Sequence, residues 1–157
     1  MKAGWLGLVA AVLLAGCGVK EAVADGDAKV TAFHADYDAQ RYDTIWGNAA
    51  KDLTGAAGAR EQLTGLLRAA HNRLGKVTGT QRVGFNAATN TNGTFVVLTM
   101  NTRFERGTGQ EEFVFRKEGD SYRLAGYHIK SNELNGSPPP PSAAPSPTIS
   151  RTPTSTT

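Results

Sequence analysis

The side chains able to move a proton between pH 5 and 8 are few. They are His34, His71 and His128, with carboxylates at Asp36, Asp38 and Glu112 as candidate partners. General acid–base chemistry needs an imidazole and a carboxylate held within hydrogen-bonding reach, where burial tunes their proton affinity. His34 falls on an apolar helical stripe, where it either faces a cavity or makes a satisfied core contact. Asp36 and Asp38 flank Tyr37 near the end of that helix and are expected in solvent. His71 lies one position past a leucine stripe and reads as a boundary residue. His128 is expected on one strand face with Tyr122, Leu124 and Gly126, opposite Arg123, Tyr127 and Ile129. Glu112 falls on the adjacent strand, so Glu112–His128 and Glu112–Arg123 contacts are both open, as catalytic or as structural cross-strand pairs. His34, Glu112 and His128 are therefore the catalytic candidates. The candidate binding side chains are Phe33, Tyr37, Trp46 and Arg123. No His-x₃-His pair, carboxylate cluster or Gly-rich phosphate loop occurs, so neither metal nor cofactor is expected. One cysteine, Cys17, cannot build a disulfide framework or a multi-cysteine zinc site.

The elements that must carry these residues follow from periodicity. From Asp27 the pattern is helical: Val30, Phe33, His34, Tyr37 and Arg41 recur every three or four residues. Asp25 or Asp27 would cap its start. A second helix is predicted over Tyr42–Lys51, carrying Ile45, Trp46 and Ala49, and the segment Thr54–Gly58 breaks it. A third places Leu63, Leu66, Leu67, Ala70 and Leu74 on one face, with Gly75 as its C-cap. After Gly75 the period becomes two, and strands are predicted over 76–88, 94–106, 110–117 and 121–131. Asn92-Gly93 and Gly119-Asp120 mark tight turns between them. In the second strand Val96, Leu98, Met100, Thr102 and Phe104 share a face. In the third, Phe113 and Phe115 oppose Glu112 and Val114. Short connections require antiparallel pairing, so the fold class is α+β: two or three N-terminal helices packed on one face of a curved four-stranded antiparallel sheet.

The two ends differ from this middle. All seven prolines lie beyond residue 137, in a Ser/Thr-rich stretch with almost nothing to bury. A tail over 134–157 is therefore expected to be disordered and locally extended. At the front, Met1-Lys2 precedes an apolar run from Trp5 to Ala15, too short to span a bilayer and suited to a signal peptide over 1–16. Leu14-Ala15-Gly16-Cys17 resembles the lipobox of bacterial lipoproteins. The resemblance implies cleavage before Cys17, a thioether-linked diacylglyceryl group on its sulfur and acylation of the new amine. Several acyl chains anchor a protein stably. Gly18, rather than Asp, implies the outer membrane facing the periplasm in a Gram-negative host. In a Gram-positive one the place is the outer face of the plasma membrane. Residues 17–26 would then be a short lipidated tether to a domain over 27–133. The 17 basic and 14 acidic residues nearly cancel and are scattered, which argues against a nucleic-acid partner.

Helices followed by a meander also resemble the cystatin-like, nuclear-transport-factor-like α+β cone. Tyr122-Arg123-Leu124-Ala125-Gly126-Tyr127-His128-Ile129 is similar to the ending of small secreted bacterial domains of unknown function. Arg73-Leu74-Gly75-Lys76, Thr102-Arg103-Phe104 and Glu111-Glu112-Phe113 fit the same pattern. Coverage is about residues 27–131, and such folds host enzymes and binders alike. The resemblances imply an envelope lipoprotein with a non-enzymatic domain for a small ligand or protein partner, a homodimer through the open sheet face being one arrangement. The alternative is a small lyase or isomerase using His34 or His128 with a carboxylate. It requires a deep pocket holding at least two of those groups.

Overall fold

The computed structural model describes residues 15–136; the leader through residue 14 and the tail from residue 137 lie outside the described residues. Four helical segments come first: α1 (Ala15–Asp38), α2 (Tyr42–Gly47), α3 (Lys51–Thr54) and α4 (Ala59–Leu74). Four strands follow: β1 (Val77–Asn90), β2 (Gly93–Phe104), β3 (Gly107–Glu118) and β4 (Ser121–Lys130). They form one antiparallel sheet in the order β1-β2-β3-β4, joined by the two-residue turns 91–92, 105–106 and 119–120. The fold is thus α+β, helices first and an open four-stranded antiparallel sheet after them, as the change of period predicts.

The core lies between the sheet and the helices. Val96, Leu98, Met100, Thr102 and Phe104 of β2 are all buried, and so are Phe113 and Phe115 of β3. From α1 come Val30, Phe33, His34 and Tyr37; from α4 come Leu63, Leu67, Ala70 and Leu74. The α4 stripe ends where expected. Gly75 takes φ +80°, and Arg106 reaches over from the β2–β3 turn to cap the open carbonyls. Its Nε donates to Arg73 O at 2.9 Å, and its Nη2 to His71 O and Asn72 O at 3.1 and 2.9 Å.

Five local expectations change. The helix expected to start at Asp27 already runs through residues 18–26, the stretch read as a tether. Ala22, Val23 and Gly26 are buried on the same face as Val30, so the sheet contact extends the helix backwards. Glycine costs a helix interior about 1 kcal/mol. Gly26 is tolerated because α1 lies close against β2 there: a Cβ would be 2.9 Å from Leu98 Cδ1. Asp25 and Asp27 do not cap the helix: Asp25 accepts the Tyr122 N–H at 3.4 Å, and Asp27 pairs with Arg82 of β1. At the other end Gln40 takes φ +56°, which leaves Arg41 exposed beyond the helix and ion-paired to Asp36 at 2.8 Å.

The predicted helix Tyr42–Lys51 is split. Ala49 makes a β-bridge to Leu124, and the Ala50 N–H donates to Leu124 O at 2.8 Å, so residues 48–50 cover the free edge of β4. The helix resumes as the single turn α3. In β4 the alternation itself changes, because a register irregularity at Ala125 inserts one residue between Leu124 and Gly126. Tyr122, Leu124 and Tyr127 therefore all reach the core, while His128 is exposed. Strict alternation puts His128 on the face of Tyr122 and Leu124, with Tyr127 opposite; the bulge exchanges the two.

The close approach at Gly26 gives a stability test. Gly26→Val is expected to destabilise the protein by roughly 1–3 kcal/mol through overpacking against Leu98. Gly65→Ala, at an exposed α4 position with nothing within 4 Å of a new Cβ, is expected to stabilise it by about 0.5–1 kcal/mol. Denaturant unfolding of both variants checks the pair. Equal effects would show that α1 does not contact β2 at Gly26.

Candidate functional site

The chemistry collects around a carboxylate other than the sequence candidate. Glu111 of β3 is 1% exposed, and three side chains from three other elements converge on it. His34 of α1 places Nε2 2.9 Å from Glu111 Oε2, and the Thr102 hydroxyl of β2 donates to the same oxygen. The Tyr127 hydroxyl of β4 donates to Oε1 at 2.7 Å. Each arrives for a local reason. His34 follows Val30 and Phe33 on the buried stripe, Thr102 lies in the alternating apolar set of β2, and the bulge at Ala125 turns Tyr127 inward. A carboxylate out of water needs its lone pairs occupied by donors, and here both oxygens have them.

Aromatic rings wall the cluster. Phe33, Phe113 and Tyr127 lie 4.9–5.1 Å apart by centroid, and His34 meets Phe113 edge-on at 5.7 Å. Burial pushes the Tyr127 hydroxyl pKa well above its usual range, and the neighbouring Glu111 adds to that. Tyr37 is raised in the same direction, chiefly by burial and then by the charges of Tyr42, Glu111 and Asp38, while its hydroxyl donates to Gly75 O at 3.1 Å. From Thr102 the hydrogen bonds continue to Thr80 Oγ1 at 2.9 Å. Those two threonines floor an open polar groove of about 590 Å³, rich in Asn, Gln and Thr.

Of the other catalytic candidates, Glu112 and His128 come together, lining a cavity of about 360 Å³ with Leu66 and Ile129. Glu112 and His128 are directly paired in register, but both are exposed on the face of the sheet away from α1, and no hydrogen bond joins them. Arg123 stands across from Arg116, not Glu112, with its Nε 3.7 Å from Glu118. His71 is half-buried, its ring 5.3 Å from Tyr37. Asp38, expected in solvent, instead accepts the Val77 N–H at 2.9 Å and so ties the end of α1 to the start of β1. Trp46 packs half-buried against the core. Among the described residues no group of three or more His, Cys, Asp or Glu is placed to hold a metal ion.

Phe33 and Arg123, however, line one cavity. It has a volume of about 200 Å³ and opens between α1, α2 and the start of β4. Phe33, Ile45, Phe115 and Leu124 form its apolar part, and Lys29, Asp36, Asn48 and Arg123 supply polar atoms. Tyr37 and Trp46 are not among its lining residues.

A family model described as protein of unknown function (DUF4019) matches residues 29–127. The chain belongs to that family. No curated protein and no solved structure matches it. The matched stretch runs from Lys29 to Tyr127, and so contains all of the Glu111 cluster and every lining residue of the 200 Å³ cavity.

Glu111 was legible in one respect: it has the same parity as Phe113 and Phe115, which assigns it to the buried face. The adjacent Glu112 has the opposite parity and stands exposed. If His34 and Glu111 act as a unit, His34→Leu and Glu111→Leu are expected to be non-additive, with a coupling of roughly 1–3 kcal/mol. Each single substitution leaves buried polar partners unsatisfied and should cost about 3–5 kcal/mol. Additive effects would show that the two do not interact.

The tyrosines set an alkaline limit. Both hydroxyls are harder to ionise in the folded chain than in the unfolded one. Their contribution is whole below the unfolded value near pH 10 and is lost as pH rises above it, by up to about 1.4 kcal/mol per unit for each. Denaturant unfolding from about pH 9 to 11 is expected to show that fall, flattened by Tyr127→Phe. A pH-independent stability over that range would contradict it.

Proposed function

We propose that this protein is a membrane-anchored envelope lipoprotein whose domain is a non-enzymatic binding module for a small ligand. The observation that carries the binding reading is a division between two places in the core. The one buried histidine–carboxylate pair among the described residues has both carboxylate oxygens occupied and lines neither the polar groove nor the cavity beside α1. Glu112 and His128 share a cavity of about 360 Å³ but are exposed, with no hydrogen bond between them. A lyase or isomerase needs a base with a free lone pair beside substrate. The open cavity beneath α1 combines an apolar floor with a few polar groups, the usual make-up of a ligand site. The order of helices and sheet is in keeping with a cystatin-like or nuclear-transport-factor-like cone.

Anchorage rests on Leu14-Ala15-Gly16-Cys17 and its apolar leader. No helix among the described residues is long and apolar enough to cross a membrane. Lipid on Cys17 would lie close to the domain, because α1 is continuous and Ala22 is already buried. At 1.5 Å per helical residue the two are about 8 Å apart along the axis. The compartment read from Gly18 is the periplasmic face of the outer membrane in a Gram-negative host.

Metabolic labelling with a tagged fatty acid tests the anchor. The native chain is expected to take up label and fractionate with membranes, and Cys17→Ser to lose the label and become soluble. An unlabelled native chain, or a Ser variant that keeps its label, would refute lipidation at Cys17.

A further inference from the structure

We propose that the cavity between α1, α2 and β4 binds a small apolar carboxylate, with its hydrocarbon against Phe33, Ile45, Phe115 and Leu124 and its anionic head between Lys29 and Arg123. This deepens the small-ligand reading above and rests on it.

The size comes first. A dry protein cavity of roughly 150 Å³ takes up benzene, so about 200 Å³ holds one ring or a short branched chain with a compact head group. Drug-sized ligands need roughly 300 Å³ or more. The apolar part is fixed by independent packing. Phe33 is held by Phe113 and Tyr127 at 5.0 and 4.9 Å, and Phe115 stacks on Phe113 at 6.1 Å. These rings therefore stay put whether or not the cavity is filled, which lowers the ordering cost of binding.

The sign of the head group follows from which charges are already engaged. Asp36 also lines the cavity, but its carboxylate accepts from Arg41 at 2.9 Å from Nε and pairs with Nη2 at 2.8 Å. Asp25, one turn before Lys29, receives the Tyr122 N–H at 3.4 Å. Glu118 accepts the Lys51 N–H at 2.8 Å and holds Arg123 only loosely, at 3.7 Å. Lys29 makes no ion pair among the described residues. The cavity thus carries an unmatched ammonium and a weakly held guanidinium, whose fork suits a carboxylate. Its one carboxylate already shares Oδ1 with the Arg41 guanidinium, which offsets its charge, so an ammonium-bearing ligand is expected to bind less tightly than an anion.

The test uses the full-length chain in detergent, titrated calorimetrically with benzoate, benzyl alcohol and benzylamine, which share a ring and differ in head charge. Benzoate is expected to bind at least about tenfold more tightly than the alcohol, with the amine weakest. Lys29→Gln and Arg123→Gln should each weaken benzoate by about fivefold to tenfold and leave the alcohol unchanged. Ala32→Leu, which starts from an exposed helical position on the rim and so should not disturb folding, is expected to abolish binding of all three. If the alcohol or the amine binds as well as benzoate, anion recognition is overturned while the cavity stands as a ligand site. If no probe binds, or Ala32→Leu changes nothing, the cavity is not the site and the small-ligand reading falls with it.

Discussion

A carboxylate taken out of water constrains everything around it. Glu111 sits in the middle strand pair of the sheet, 1% exposed, and its two oxygens draw donors from β2, β4 and α1. Removing one partner of such a buried set costs several kcal/mol, more than most single contacts in a domain of this size. Two of the three donors come from the sheet itself. The third, His34, comes from α1 and is available only when the helix lies along the sheet in one register. The interaction therefore specifies where the helix goes, while the apolar stripe of Ala22, Val23, Val30, Phe33 and Tyr37 supplies the larger share of burial. Gly26 and Asp38 complete the fit, one by allowing close approach to Leu98 and the other by holding the Val77 N–H.

The same register shapes the cavity. Lys29, Ala32, Phe33 and Asp36 occupy the flank of α1 next to the cluster, and Phe33 belongs to both, touching Phe113 and Tyr127 while lining the cavity. A structural network and a cavity thus share one helix face. The buried cluster holds the helix in place, and the cavity on its flank is where we propose that a ligand binds.

Periodicity made most of the fold readable. The alternation in β2, the leucine stripe of α4 and the glycine after Leu74 each follow from local geometry with few alternatives. The site was harder to read because two of its features are not local. Tyr127 enters the core only through the bulge at Ala125, and nothing in Leu124-Ala125-Gly126 distinguishes a bulge from regular strand. The split of the second helix depends on Ala50 finding Leu124, more than seventy residues away. Glu111 was within reach, since its parity with Phe113 and Phe115 is plain. A charged residue on an apolar face is, however, costly without partners, and those partners appear only when four elements are assembled. Phe33 and Arg123 could be named as candidates one by one, but that they line one cavity is a property of the tertiary fold.

The most direct measurement is native-state amide hydrogen exchange across α1 and the sheet. If Glu111 ties the helix to the strands, amides of residues 30–37 should open with the same free energy as those of β2 and β3. In Glu111→Gln the α1 amides should open first, well before the sheet. Separate low-energy opening of α1 in the native protein, or an equal loosening of every element in the variant, would contradict the role assigned to this carboxylate.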